Sequence, residues 1–248
     1  MQKTLTREYS LRIDEADWTG RARPVSLLNV LQDAAFVHAT ALGVGVEELM
    51  RRNMTWVLSR YRVRFLAYPP VHGRLQVVTW PSSREGRSTT RDFEIRSTGG
   101  ELLAVATSAW ALLDLQSRRP LRLDEILPDY PLESRRALEF SPERQPLPER
   151  SDRELPFRVR LGDLDINRHV NNTIYLQWAL ETVPPEVAES LRPQEIEISY
   201  RAEARYGDTV LSRLARGESG SDFLHQLLSQ ESGREFARLH TAWRNFPA

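Results

Sequence analysis

Cysteine is missing from all 248 residues. This absence excludes a disulfide framework, a thiolate metal site and a cysteine nucleophile, and it fits a reducing compartment. Lysine is nearly missing too: Lys3 is the only one, so arginine carries the positive charge. Lys and Arg together number 34 against 34 Asp and Glu, which leaves no net field to drive the chain onto nucleic acid or a membrane surface. No apolar run reaches membrane-spanning length, and the opening MQKTLTREYSLRIDEAD has acids where a signal peptide needs an apolar core. A soluble cytoplasmic protein with no membrane insertion is expected. Neither G-x-x-x-x-G-K-[ST] nor G-x-G-x-x-G occurs, His38, His72, His225 and His240 stand singly, and there is no H-E-x-x-H. The expectation is therefore no nucleotide, no metal and no cofactor.

What the chain does contain is a repeat. YSLRIDEADWTGRARPVSLLNVLQDA (9–34) lies without a gap over FRVRLGDLDINRHVNNTIYLQWALET (157–182), at the offset of 148 positions that separates Asp17 from Asp165. Each copy reads as an alternating strand, a polar turn and an amphipathic helix. Further on, SRYRVRF (59–65) echoes SYRAEAR (199–205), which sets Glu203 near the place of Arg64. GGELLAVATSAW (99–110) echoes SGREFARLHTAW (232–243), with Trp110 over Trp243. Three matched blocks in one order point to duplication. The strands after each helix alternate in part with period two and are broken by glycine, as antiparallel neighbours joined by hairpins are. A lone amphipathic helix must bury its apolar stripe, and the sheet is the surface at hand. The fold class expected is α+β, a curved antiparallel sheet wrapped around one long central helix, present twice.

Between Leu115 and Pro156 stand seven of the 15 prolines, a density that reads as a connector. The expected organisation is a first domain over 1–114, a linker over 115–156 and a second domain over 157–248.

The second helix opens on a dense polar cluster. Asn171 or Asn172 serves to cap its first turn, which leaves Asp165, Asn167 and His169 at i, i+2 and i+4. Two readings stand: turn residues with a satisfied histidine, or a reactive set. The first copy has Asp17, Thr19 and Arg21 at these places, so the aspartate is common to both copies while the asparagine and histidine belong to the second alone. Glu203 adds an acid, either paired with Arg201 or Arg205 on an exposed strand or orienting the histidine. A histidine between carboxylates and an amide is equipment for general base work or attack on an acyl carbon.

The run DLDINRHVNNTIYLQWALE, with ISYRAEARYGDTVL after it, resembles the acyl-acyl-carrier-protein thioesterases of plant and bacterial type, which are tandem double hot-dog proteins. The resemblance spans nearly the whole chain, including LLNVLQDAAFVHATALGVG and TTRDFEI in the first half. It implies hydrolysis of the thioester joining a fatty acyl chain to the phosphopantetheine arm of an acyl carrier protein. It also implies Asp165, Asn167, His169 and Glu203 as the catalytic residues. Ala204 stands where plant members often carry a cysteine, so a papain-like route is excluded here. On this reading Asp165 attacks the thioester or activates water, Asn167 holds the carboxylate or the carbonyl, His169 and Glu203 manage protons, and a backbone N–H near Val170 or Asn171 meets the oxyanion. The first half is expected to supply the acyl pocket, from Leu28, Leu31, Ala35 and Trp56, with Val170 at the helix mouth. Arg168, Arg201 and Arg205 are candidates to receive the carrier. An acyl-coenzyme-A thioesterase of the same fold and a non-catalytic acyl-binding protein are the alternatives, and homodimer formation is left open.

Overall fold

The computed structural model describes residues 2–140, 145–147, 150–217 and 220–246. The chain divides into two compact units, Met1–Phe140 and Ser141–Ala248.

In the first unit the strands are β1 (Leu5–Ser10), β2 (Met54–Phe65), β3 (Arg74–Glu85), β4 (Ser88–Ser97) and β5 (Leu102–Asp114), ordered β1-β3-β4-β5-β2 and all antiparallel. Helix α1 (Pro24–Ala41) starts with proline at its first position, where the missing N–H costs no hydrogen bond. It packs on β1 and β3 and buries Leu27, Leu28, Leu31, Ala34 and Ala35. Each such leucine contributes on the order of 1.5–3 kcal/mol by leaving water. A short α2 (Val46–Arg51) and a single turn, α3 (Leu123–Ile126), complete the unit.

The second unit repeats this plan with β6 (Arg153–Arg158), β7 (Arg192–Tyr200), β8 (Thr209–Arg216), β9 (Asp222–Ser229) and β10 (Glu235–Arg244), ordered β6-β8-β9-β10-β7. Its helix α4 (Asn172–Glu181) packs on β8, β9 and β10 through Tyr175, Leu176, Trp178 and Ala179. Phe157 stacks on Trp178 and Tyr175 meets Trp178 edge-on, with ring centroids 6.0 and 5.6 Å apart. α4 is shorter than α1 because Pro184 and Pro185 interrupt it, and the chain resumes helix in α5 (Pro185–Ser190). The tryptophans paired by sequence do the same work: the Trp110 indole N–H donates to Ser108 Oγ at 2.8 Å and that of Trp243 to Thr241 Oγ1 at 2.9 Å. This is the hot-dog arrangement, twice in one chain.

The proline-rich stretch is ordered differently from a free connector. Residues to Phe140 belong to the first unit, where Leu123, Leu127, Tyr130 and Leu138 are buried. The Ala137 N–H donates to Asp92 Oδ1 at 2.9 Å, Arg136 reaches the same carboxylate at 3.2 Å, and the Trp80 indole donates to the Arg135 carbonyl at 2.7 Å. At its other end, Pro156 lies within β6, tolerated because that strand is paired on one side only, by β8. Pro142 and Pro148 lie outside the described residues. Among the described residues no helix is long and apolar enough to cross a membrane.

Candidate active site

The cluster at the mouth of α4 is a closed loop built around one carboxylate. Asp165 Oδ1 accepts from the backbone N–H of Asn167 at 2.8 Å and of His169 at 3.2 Å, and Oδ2 accepts from Asn167 Nδ2 at 3.3 Å. The Asp165 N–H donates to the His169 carbonyl at 2.8 Å, and Asn171 caps α4 by accepting from the Thr173 N–H at 3.1 Å. Arg168 completes the turn in the left-handed region, at φ 61°.

The first unit makes the same loop at the same offset. Asp17 Oδ1 accepts from the N–H groups of Thr19 and Arg21 at 2.9 and 3.3 Å, the Asp17 N–H donates to the Arg21 carbonyl at 2.8 Å, and Gly20 takes the left-handed turn at φ 75°. The loop therefore needs its aspartate whether or not any chemistry follows. Beyond the helix the hydrogen bonds fix a register that the sequence echo misses. Ala22 donates to the Pro69 carbonyl as Val170 does to Ala204, and Leu66 and Ala67 share the Leu103 carbonyl as Arg201 and Ala202 share that of Phe236. Glu203 thus lies over Tyr68 and not over Arg64; two seven-residue segments with few identities could not fix a pairing across helices of different length.

Corrected this way, the comparison shows what the second unit changed. In the first unit the Arg21 guanidinium donates to the Tyr68 carbonyl at 3.0 Å. In the second, His169 replaces that arginine and Glu203 that tyrosine, with His169 Nε2 3.5 Å from Glu203 Oε2. Both side chains keep a solvent-facing edge, 24% and 32% exposed, so a substrate can reach the pair. Asp165 and Asn167 are half-buried beside them. The structure thus brings together the four residues expected at the site.

The two amides expected to meet an oxyanion are engaged elsewhere: the Val170 N–H donates to the Ala204 carbonyl at 3.2 Å and the Asn171 N–H to the Asp163 carbonyl at 2.9 Å. Asn167 Nδ2 spends one hydrogen on Asp165 and has a second to give. Sequence reasoning passed over Tyr175. Its hydroxyl accepts from the Ala204 N–H at 2.8 Å and so ties α4 to the segment that carries Glu203. Burial pushes that hydroxyl up, and the carboxylates of Glu203, Asp208 and Asp165 add to the shift. The available signal was an aromatic residue one helical turn past the cap, in NNTIY. Of the residues expected at the acyl chain, Leu28, Leu31 and Ala35 are buried on α1. Trp56 is half-buried and donates to the Val44 carbonyl at 2.9 Å, and Val170 is buried at the loop's end. A groove of about 640 Å³ in the first unit runs past Phe36, Gly43 and Leu127 and touches none of these.

With this geometry in place, the chain compares closely with known proteins. Residues 2–130 match the acyl-ACP thioesterase N-terminal domain and residues 147–245 the acyl-ACP thioesterase C-terminal domain. Oleoyl-acyl carrier protein thioesterase 1, chloroplastic, of Arabidopsis thaliana is 27% identical across 100% of this chain and 76% of its own length. Acyl-[acyl-carrier-protein] hydrolase FATB2, chloroplastic, of Cuphea viscosissima is 30% identical across 96% of this chain and 62% of its own. Among solved structures, the 12:0-ACP thioesterase from Umbellularia californica superposes with a TM-score of 0.86 at 25% identity, covering 99% of both chains. An acyl-ACP thioesterase from Bacteroides thetaiotaomicron gives 0.85 at 25% identity, covering 98% of both. Fold, repeat and both halves of the sequence agree that the chain belongs to the acyl-ACP thioesterase family.

Proposed function

We propose that the chain hydrolyses fatty acyl thioesters of acyl carrier protein by direct attack of water, with His169 and Glu203 as the proton-handling pair. The observation that carries this reading is the exchange between the units: the loop and its aspartate are common to both, and the second unit replaces Arg21 and Tyr68 with an imidazole and a carboxylate at 3.5 Å. The pair takes a proton as the water oxygen bonds to the thioester carbon, and returns it to the sulfur as the C–S bond breaks. The products are a free fatty acid and the carrier's thiol. Asn167 offers its second Nδ2 hydrogen to the carbonyl oxygen as charge builds there.

Asp165 then acts as a positioning residue. Its Oδ1 is held by two backbone N–H groups and its Oδ2 by the Asn167 side chain, so the carboxylate is committed to shaping the loop. The buried face of α1, with Leu28, Leu31 and Ala35, remains the candidate for holding the acyl chain.

The test is release of carrier thiol from acyl-ACP by purified protein. Glu203→Gln and His169→Asn should each lower kcat by about 10²–10⁴ with the melting temperature unchanged. Full turnover in Glu203→Gln would remove the pair from the mechanism.

A further inference from the structure

Glu203 stands outside any strand or helix, between the end of β7 at Tyr200 and the start of β8 at Thr209. A carboxylate in such a stretch stays against an imidazole only if the backbone on either side of it is held. Two phenol hydroxyls hold it. The Tyr175 hydroxyl accepts from the Ala204 N–H at 2.8 Å, while the Ala204 carbonyl accepts from the Val170 N–H at 3.2 Å. Both backbone groups of the residue after Glu203 are thus fastened to the mouth of α4. The Tyr200 hydroxyl donates to the Asn172 carbonyl at 3.0 Å and fastens the end of β7 to the first turn of the same helix. The rings are fixed in turn, since Tyr175 meets Tyr200 and Trp178 edge-on with centroids 5.9 and 5.6 Å apart. Burial and the carboxylate charges nearby push the Tyr175 hydroxyl up, so it keeps its proton and accepts as a neutral group.

The first unit fixes the same stretch by other means. The backbone register that sets Glu203 over Tyr68 also sets Ala204 over Pro69 and Tyr200 over Phe65, and the repeat sets Tyr175 over Leu27. Pro69 has no N–H to satisfy and a ring that fixes its own φ, so a leucine suffices at position 27. Tyr68 is buried and stacks on Phe65 at 4.9 Å, which pins the segment through its side chain. The second unit gives up both devices. Glu203 has no ring to stack and keeps a solvent-facing edge. Ala204 lacks the ring that fixes φ, and it is fully buried with an N–H that needs an acceptor. The hydroxyls of Tyr175 and Tyr200, where the first unit has leucine and phenylalanine, restore what those exchanges removed.

We propose that Tyr175 and Tyr200 are positioning residues for the thioesterase reaction, holding the backbone around Glu203 so that its carboxylate faces His169. The inference rests on the proton-handling role of that pair, and it assigns the two hydroxyls a part in turnover and none in substrate binding.

The experiment measures kcat and KM on acyl-ACP, with calorimetric melting, for Tyr175→Phe, Tyr200→Phe, Glu203→Gln and the double variant of Tyr175→Phe with Glu203→Gln. Tyr175→Phe keeps the ring and removes the acceptor, so kcat should fall at least about tenfold while KM stays within about twofold of wild type. Tyr200→Phe leaves no buried N–H without an acceptor; melting should hold while kcat falls about threefold, and this variant carries the test if Tyr175→Phe folds poorly. In the Glu203→Gln background Tyr175→Phe should cost less than about a further twofold, because the hydroxyl acts through the carboxylate already removed. A merely structural tyrosine would lower turnover by the same factor in both backgrounds. Wild-type kcat in both phenylalanine variants, or equal losses in the two backgrounds, overturns the proposal, and a depressed Glu203→Gln beside it leaves the catalytic pair in place. Wild-type kcat in Glu203→Gln overturns the pair itself, and with it the purpose of the hydroxyls.

Discussion

Asp17 and Asp165 hold the same loop in two settings, only one of which carries reactive groups, and substituting both separates structure from chemistry. Alanine at either position removes the acceptor for two backbone N–H groups, those of Thr19 and Arg21 in one unit and of Asn167 and His169 in the other. The position is comparable to a helix cap, where loss of the side-chain acceptor costs about 0.5–2 kcal/mol. For a chain of this length that corresponds to a fall of roughly 1–8 °C in melting temperature. Asparagine keeps an oxygen in the same place and is nearly as good a cap as aspartate, so Asp17→Asn and Asp165→Asn should melt within about 0.5 kcal/mol of wild type.

Kinetics then divide the pair. Asp17→Ala should leave turnover per folded molecule unchanged. Asp165→Ala should lower kcat by on the order of 10²-fold, because the loop no longer presents the imidazole to Glu203. Asp165→Asn restores the loop without the charge and should retain turnover within about tenfold. Stopped-flow release of carrier thiol, set beside calorimetric melting of all four variants, provides the assay. The result that refutes the reasoning is an Asp165→Asn variant with wild-type melting and kcat reduced by more than about 10³-fold, which would require the carboxylate in the reaction itself. A single turnover in oxygen-18 water supplies an independent check: label should enter the fatty acid and none should enter Asp165.

Further predictions concern the remaining groups. Asn167→Ala, which removes the side-chain donor but leaves the backbone N–H to Asp165, should reduce kcat by about 10²–10³-fold with little change in KM, measured on acyl-ACP. His38 and His225 should make the fold acid-sensitive. Burial, with the Arg91 charge adding to it, lowers His38 to about 4, and burial followed by His240 lowers His225 to about 3. Both are neutral when folded and take up a proton on unfolding once the pH falls below about 6.5, so their contribution is full above that pH and is lost on acidification toward 4 and 3. Two such protons make stability fall by up to about 2.7 kcal/mol per pH unit inside that window. Urea denaturation between pH 6.5 and 4.5 should show a slope about one proton shallower in His38→Gln and again in His225→Gln; an unchanged slope in the double variant would contradict the assignment.

The parts of this protein legible in its sequence are those in which local chemistry dictates the geometry. The aspartate two residues before an amide and four before a histidine forms its loop through contacts no more than four positions apart, so the motif alone placed Asp165, Asn167 and His169 together. The gapless repeat likewise fixed the first strand, loop and helix of each unit, since 148 positions separate every pair. Legibility failed where long-range pairing decides. Glu203 was assigned to the site by family resemblance, while its counterpart in the other unit was misjudged, because helices of unequal length intervene and only the long-range backbone hydrogen bonds, those of Ala22 and Val170 among them, reveal that Tyr68 is the partner position. The proline count suggested a connector. It could not show that Leu123, Leu127, Tyr130 and Leu138 are apolar enough to stay on the first unit.

The same distinction separates architecture from catalysis. Duplication gave both units a loop that delivers the side chain of position 21 or 169 to the segment holding 68 or 203. In the first unit that delivery ends in a hydrogen bond to a carbonyl, a purely structural use. In the second it ends in an imidazole beside a carboxylate, both with an edge open to solvent. On the mechanism proposed above, the residues at these two positions decide whether the contact is a fastening or a proton-handling pair. The converse exchange tests this: His169→Arg with Glu203→Tyr should abolish turnover yet keep the fold within about 1 kcal/mol, because the first unit already accommodates those residues in the same frame.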